Sequence, residues 1–472
     1  MNPDLFHKIA AIVGREHCST SLEDLHCYSY DGSKQSFLPE AVALPDSTEQ
    51  VAALLKLADH YEFPVVARGA GSGMTGGALP TAGGLVLACS RLNRILEIDA
   101  DNQIAIVQPG VITGEFQQAL KKYKLLYPPD PASLKFCTMG GNVAECAGGP
   151  SAIKYGVTKD SIIGLEVVLA NGDILTTGTR TEKGVVGYDL TRLFIGSEGT
   201  LGIVTKIITR LQPLPEWKET FLLQSTSLQK STELVARILQ NNILPCTLEY
   251  MDRTALRIVS DLLPKAPAEN IQAMLIIEID GNREHVHDMV ERLKTLTQRE
   301  THCSLQQAIS EEDIREIWQA RRSISPACYK LSPAKTSEDV VVPRTRIPDL
   351  VRFCETLSQR LALTILTFGH AGDGNIHVNI MTADRSPQES AKSAEAKTQL
   401  FQEVIRLGGT LSGEHGVGIT KSSFLSLELD TTSIRVMRSL KNLFDPKNIL
   451  NPGKIFPPES ENDTAHFSGK IH

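Results

Sequence analysis

Apolar residues in the first half of the chain fall into short β-branched runs cut by glycine-rich turns. Ala41 to Pro45 reads as a strand. Ser47-Thr48-Glu49-Gln50 ahead of Val51 to Leu55 has the form of a capped helix start, and Pro64 to Arg68 reads as the next strand, so the opening is β-α-β. Runs at 84–87, 105–107 and 164–169 follow, each bounded by turn residues. Beyond Leu211-Gln212-Pro213-Leu214-Pro215 the pattern changes to strands alternating with amphipathic helices. Strands are predicted at 220–224, 247–250, 274–279 and 340–342. Helices are predicted at 228–241, 284–298, 317–325 and 347–360. Two similar β-α-β passes point to an α+β sheet domain with its helices on one face.

The chain has 472 residues, is 41 % hydrophobic and 22 % charged, and carries a formal charge of −7 without a long single-sign run. That composition suits a globular protein and favours a small-molecule ligand over nucleic acid or an anionic membrane surface. The first residues lack a basic region followed by an apolar run, and no apolar stretch approaches the roughly 18–20 residues that span a bilayer. A cytoplasmic protein that does not span the membrane is expected, with any membrane association made through a partner. The nine cysteines form no C-x-x-C pair, so neither a disulfide framework nor an Fe–S cluster is expected within the chain.

Two C-terminal stretches, Gly369 to Asn379 and Ser412 to Gly418, gather three histidines, a glutamate and an amide among glycines. In a β-like run His377 and Asn379 share a face, and His370 returns to it across the turn at 372–375. His370, His377 and Glu414 are the candidate ligands of a divalent metal, Zn or Mn, with His415 left as a proton acceptor. Two histidines and a glutamate also occur in hydrolytic zinc sites, although the helical H-E-x-x-H pattern is missing.

Arg68-Gly69-Ala70-Gly71-Ser72-Gly73-Met74-Thr75-Gly76-Gly77-Ala78 directly follows a strand, where glycines can turn successive N–H groups toward one point and cradle a pyrophosphate. It is neither a convincing G-x-G-x-x-G dinucleotide fingerprint nor a Walker loop. Similar backbone-approach segments recur around Pro131 and Ser133, at Met139-Gly140-Gly141-Asn142, at Gly148-Gly149 and at Gly196 to Thr205. Their order and wording resemble the FAD-binding domain of the vanillyl-alcohol-oxidase (p-cresol-methylhydroxylase-type) superfamily. The stretches 369–379, 412–418 and 444–454 resemble the C-terminal domain of its D-2-hydroxyacid dehydrogenase branch, which includes the glycolate oxidase flavin subunit, D-lactate dehydrogenase and D-2-hydroxyglutarate dehydrogenase.

The resemblance implies an α+β fold: a two-subdomain FAD-binding domain at 38–215 behind a helical lead-in at 1–37, then a ferredoxin-like cap domain at 216–410. A segment at 411–472 would carry Glu414 and His415 back to the FAD domain. It assigns Arg68, Gly69, Ala70, Gly71, Ser72, Gly73, Gly76, Gly77, Pro131, Ser133, Met139, Gly140, Gly141, Asn142, Gly148, Gly149, Gly196, Glu198, Gly199, Thr200, Gly202, Ile203 and Asn451 to FAD. No histidine lies between His60 and His285, so non-covalent FAD is expected, with Cys137 and Cys146 read as structural. His415 is the implied base. Arg321, Ser325, Asn379 and Lys335 are the implied substrate contacts, with the spacing around Lys335 favouring a small monocarboxylate such as D-lactate or glycolate. Electrons would pass to an Fe–S subunit, an electron-transfer flavoprotein, a cytochrome or quinone. The alternatives are a D-2-hydroxyglutarate dehydrogenase, a non-catalytic flavin-binding subunit of an electron-transfer complex, and a metal-dependent hydrolase.

Overall fold

The computed structural model describes residues 1–457; the last part of the segment at 411–472 lies outside the described residues. Ser47 caps helix Thr48–Tyr61, its hydroxyl accepting the Gln50 N–H at 3.2 Å. The helix carries the chain between strands Ala41–Ala43 and Val65–Arg68, which flank Leu85–Ala88 in parallel. Such a crossover buries its apolar stripe on the sheet, and Val51, Leu54, Leu55 and Ala58 are fully buried. The lead-in is more than helical, because Cys18–Ser19 adds an antiparallel edge strand to this sheet. A second, antiparallel sheet runs in the order Ile95–Asp99, Ile104–Val107, Ile203–Arg210, Ile162–Val168, Ile174–Gly178.

The second half is one seven-stranded antiparallel sheet. Its order is Cys303–Ala308, Trp217–Ser225, Ala273–Gly281, Thr247–Asp252, Thr364–His370, Asn375–Thr382, Ala334–Val341. Helices cover both faces, not the one face that the periodicity suggests. Leu248, Tyr250, Leu275, Ile277, Val378 and Ile380 pack outward with Leu234, Val286, Leu350 and Leu400 of four helices. Met251, Met274, Ile276, Leu366 and Met381 face the other way, under helices Arg253–Val259 and Glu311–Ala327. These two helices cover only part of the inner face. The remainder carries polar side chains and looks into the rest of the molecule.

After helix Pro387–Arg406 the chain returns toward the N-terminal half, where Leu450 bridges to Val65 in parallel. Asp445, 1 % exposed, organises this return. It accepts the N–H groups of Ile449 and Leu450 at 3.0 and 2.7 Å and pairs with Lys441, whose ammonium also donates to the carbonyls of Thr200 and Leu450. Removing one partner of such a buried pair strands the other charge. Asp445→Ala is therefore expected to destabilise the protein by about 3–5 kcal/mol, read as a fall in the urea midpoint; an unchanged midpoint would count against this hub.

Candidate active site

Alternation along the inner face places the polar cluster. Phe368 and Asp339 both pair in register with His377, on the strands to either side of it. His370 and Asn375 close the hairpin, and Glu249 stands on the strand next to His370. Gly374 turns the hairpin with φ +92°, where a Cβ would meet the Val342 carbonyl at 2.1 Å. Residues 412–418 then lay a loop across this face. The N–H groups of Gly413, Glu414 and His415 all donate to Asp339 Oδ2, at 2.9, 2.9 and 3.1 Å. From the opposite half Glu198 accepts the N–H groups of Val417 and Gly418 at 2.7 and 2.9 Å, and Thr75 Oγ1 donates to the His415 carbonyl at 2.9 Å. Two buried carboxylates, one from each half, thus hold the loop by its backbone and leave its side chains free to act.

Two side chains of the loop converge with two of the sheet. Glu414 Oε1 lies 3.4 Å from His370 Nε2, 3.7 Å from His377 Nε2 and 3.9 Å from His415 Nε2. Ligands bound at about 2.0–2.1 Å around a tetrahedral ion stand roughly 3.3–3.4 Å apart, so the Glu414–His370 and Glu414–His377 spacings suit an ion and His415 is the outermost. Behind the cluster, Glu249 Oε1 is 2.5 Å from His370 Nδ1, and Asp339 lies 3.7 and 3.9 Å from the Nδ1 atoms of His377 and His415. This is the carboxylate–histidine support usual behind metal ligands. Asp339 is itself within reach of an ion: its carboxylate and one donor each from His377, Glu414 and His415 all lie within 4.8 Å of one another, while it also accepts the three N–H groups and the Asn375 amide at 2.6 Å.

The charges favour a cation. Burial works to raise the Glu414 carboxyl, but His370 and His377 hold it down at about 2. Burial, with His370 second, drops His377 to about 3, leaving a neutral imidazole. Burial also opposes a charge on His370, yet Glu249 and Glu414 outweigh it and push the ring well above its usual range. Three carboxylates around three imidazoles favour positive charge at His370, which an ion between Glu414, His370 and His377 would supply. The donor set therefore fits Zn or Mn.

Two cavities meet at this cluster. One runs along Arg68 to Met74, Pro131 to Ser133, Gly140 to Asn142 and Ser197 to Gly199, ending at Glu414 and His415. Of the residues assigned to FAD, Arg68, Gly69, Ala70, Gly71, Ser72, Gly73, Gly77, Pro131, Ser133, Gly140, Gly141, Asn142, Glu198, Gly199, Gly202 and Ile203 line it. The others stand back from its wall. Met139 is in the core, and Gly148 abuts Glu414, a Cβ there falling 2.9 Å from Oε2. Gly149 packs on Asp130, Gly76 on Ile419, and Gly196 turns with φ +76°. Thr200 bonds to the Ser197 carbonyl, and Asn451 donates to the carbonyls of Gly77 and Glu198 at 2.8 and 2.7 Å, locking the wall from behind. Cys137 is buried on Thr113 and Cys146 lies off the wall.

The second cavity, of about 630 Å³, is lined by Trp318, Arg321, Arg322, Ser325, Phe368, His370, His377, Glu414 and His415 among others. Met74, Ala132, Glu414 and His415 belong to both walls. Arg321, 8 % exposed, pairs with Glu249 Oε2 at 2.5 Å and keeps its Nε without a hydrogen bond. Asn379 and Lys335 are corrected by the structure: neither reaches the cavity. Asn379 is fully buried, accepting from Ser337 and donating to Cys328, and Lys335 donates to Ser325 from behind. Glu249 and Asp339 escaped the sequence reading; a carboxylate between Leu248 and Tyr250 is a signal that could have found Glu249, whereas Asp339 follows the polar run 335–338 and gave none.

The chain matches the families described as "FAD linked oxidases, C-terminal domain" over residues 214–455 and "FAD binding domain" over residues 39–178. It is 42 % identical to the glycolate oxidase subunit GlcD of Bacillus subtilis, covering 97 % of both chains. It is 34 % identical to a D-lactate dehydrogenase of Anaerostipes hadrus, covering 88 % of this chain and 89 % of that one. Its fold is that of p-cresol methylhydroxylase, with TM-score 0.80 and 18 % identity over 96 % of this chain and 97 % of the other. No helix among the described residues is long and apolar enough to cross a membrane. A glycine-walled cavity joined to a polar cluster, on this fold and with these relatives, places the chain in the family of FAD-linked oxidases, as a flavoprotein oxidoreductase.

Proposed function

We propose that the chain oxidises a small D-2-hydroxy acid, D-lactate or glycolate, to the 2-oxo acid, passing electrons to a separate acceptor. The observation that carries this reading is that His415 and Glu414, adjacent on one loop, stand on both cavity walls. FAD in the first cavity supplies a hydride acceptor. A divalent cation held by His370, His377 and Glu414 supplies an electrophile that acidifies a bound hydroxyl.

The rest is the work of side chains. Arg321 receives the substrate carboxylate on its guanidinium, which lines the second cavity and is held by Glu249. His415 takes the hydroxyl proton at Nε2, and Asp339 beside Nδ1 orients the ring and balances the charge it gains. Phe368 and Trp318 restrict water around the reacting carbon. The substrate loses one proton to His415 and one hydride to the cofactor, which balances the conversion to a 2-oxo acid. The names of the relatives support the substrate class, and the word subunit in one of them supports an electron-accepting partner, whether an Fe–S subunit, an electron-transfer flavoprotein, a cytochrome or quinone.

Anaerobic titration with D- and L-2-hydroxy acids tests the reading. Bleaching of the flavin by D-lactate or glycolate supports it; bleaching only by D-2-hydroxyglutarate shifts the substrate, and no bleaching by any acid leaves a non-catalytic flavin subunit. Arg321→Lys keeps the ion pair to Glu249 but loses the planar fork. It is expected to raise the substrate concentration for half-bleaching about 10–100-fold, with the limiting rate much less affected.

A further inference from the structure

Helix Met139–Glu145 ends on a carboxyl that the reaction above does not use. Glu145 is on the wall of the FAD cavity, and three glycines from two separate stretches make room for it. A Cβ on Gly77 would fall 2.5 Å from its Oε1, one on Gly73 3.8 Å from the same atom, and one on Gly416 2.1 Å from its Oε2. Oε2 is sealed from the surface without a hydrogen bond, and among the described residues neither oxygen has a hydrogen-bond or ion-pair partner.

The surroundings forbid a second charge. Glu198 shares the Gly77 and Gly416 neighbourhoods with Glu145, and its two oxygens already collect the N–H groups of Val417 and Gly418, so Glu198 is the carboxylate of the two. Lys454 spends its ammonium on the Leu79 carbonyl and Asn451 Oδ1, and gives Glu145 no hydrogen bond. Burial first, then Glu198 and Asp31, push the Glu145 carboxyl well above the ordinary carboxylate range. A protonated carboxyl has one O–H to give, and among the described residues no hydrogen bond takes it up. Bound FAD brings acceptor atoms into this cavity, and Gly416 directly follows His415, so the flavin end of the cofactor is the end concerned.

We propose that Glu145 is a cofactor-binding residue that remains a neutral carboxylic acid in the holoprotein and donates its O–H to the flavin end of FAD. The proposal rests on FAD occupying this cavity and not on the identity of the substrate.

Apoprotein stripped of FAD and titrated back, followed by flavin fluorescence and potentiometry, tests it. Glu145→Gln keeps a neutral donor and is expected to bind FAD within about threefold of the wild type with an unchanged flavin midpoint potential; Glu145→Leu loses the donor and should bind about tenfold more weakly. Wild-type affinity in Glu145→Leu, or a raised potential in Glu145→Gln that betrays a lost negative charge, would overturn the proposal. Should Glu145→Leu fail to fold, the infrared spectrum of the holoprotein decides: a carboxylic-acid C=O stretch absent from Glu145→Gln is expected, and no difference between the two overturns it. Failure of wild-type apoprotein to take up FAD would instead overturn the placement of the cofactor.

Discussion

Replacing His415 by Asn leaves FAD and metal in place and slows flavin reduction by about 10²–10⁴-fold, the span a positioned general base contributes. The prediction is this specific because the loop is held by its backbone. The N–H of residue 415 still donates to Asp339 and its carbonyl still accepts from Thr75, so the exchange alters the ring and little else. Stopped-flow reduction at saturating D-lactate or glycolate, alongside flavin and metal content, checks it. Reduction at the wild-type rate, or loss of FAD from the variant, would remove His415 from the role of base.

Removing the cation has the second large effect. Glu414 is the one carboxylate of the three with an oxygen within 3.9 Å of all three imidazoles, so Glu414→Gln withdraws the negative charge an ion needs. Metal content is expected to fall to background and flavin reduction to drop by more than the about 10–100-fold cost of losing an outer-shell partner. Glu249→Gln, which weakens the support of His370 and the ion pair to Arg321 but removes no ligand, should fall inside that smaller range. Chelated wild-type enzyme should match Glu414→Gln and recover with Zn or Mn, whereas the variant should not recover. Full activity in exhaustively chelated wild type would eliminate the metal from the mechanism while leaving the flavin assignment intact.

Much of the architecture was legible because local chemistry and tertiary fate agree. Ser47 caps the helix its sequence announces, and His377 shares with Phe368 and Asp339 the inner face that alternation predicts for it. What alternation cannot tell is which inward positions meet open space. Asn379 stands on that same face, yet Ser337 and Cys328 take up its amide and bury it. The covering helix Glu311–Ala327 was legible as a helix, but the face of the sheet it would occupy was not, since Ile317, Ala320 and Ile324 would pack equally well on either side. Glu249 and Asp339 were hidden for other reasons. Glu249 lies between Leu248 and Tyr250 and reads as part of a core strand, Asp339 lies in the polar run 335–339 and reads as surface, and only the cross-strand register shows these carboxylates standing behind histidines from another part of the chain.

The loop that brings Glu414 and His415 to both cavities also sets the order in which the protein becomes competent. Asn451 reaches Gly77 across 374 residues and Glu198 across 253, so the wall that faces the cofactor is locked only when nearly the whole chain exists. Contacts this distant in sequence are closed late, because loop entropy is lost before they repay it. A nascent chain can therefore complete all three of the sheets described above before the loop that carries Glu414 and His415 exists. A chain interrupted before residue 412 would hold these sheets and neither of the two polar side chains that the cavities share.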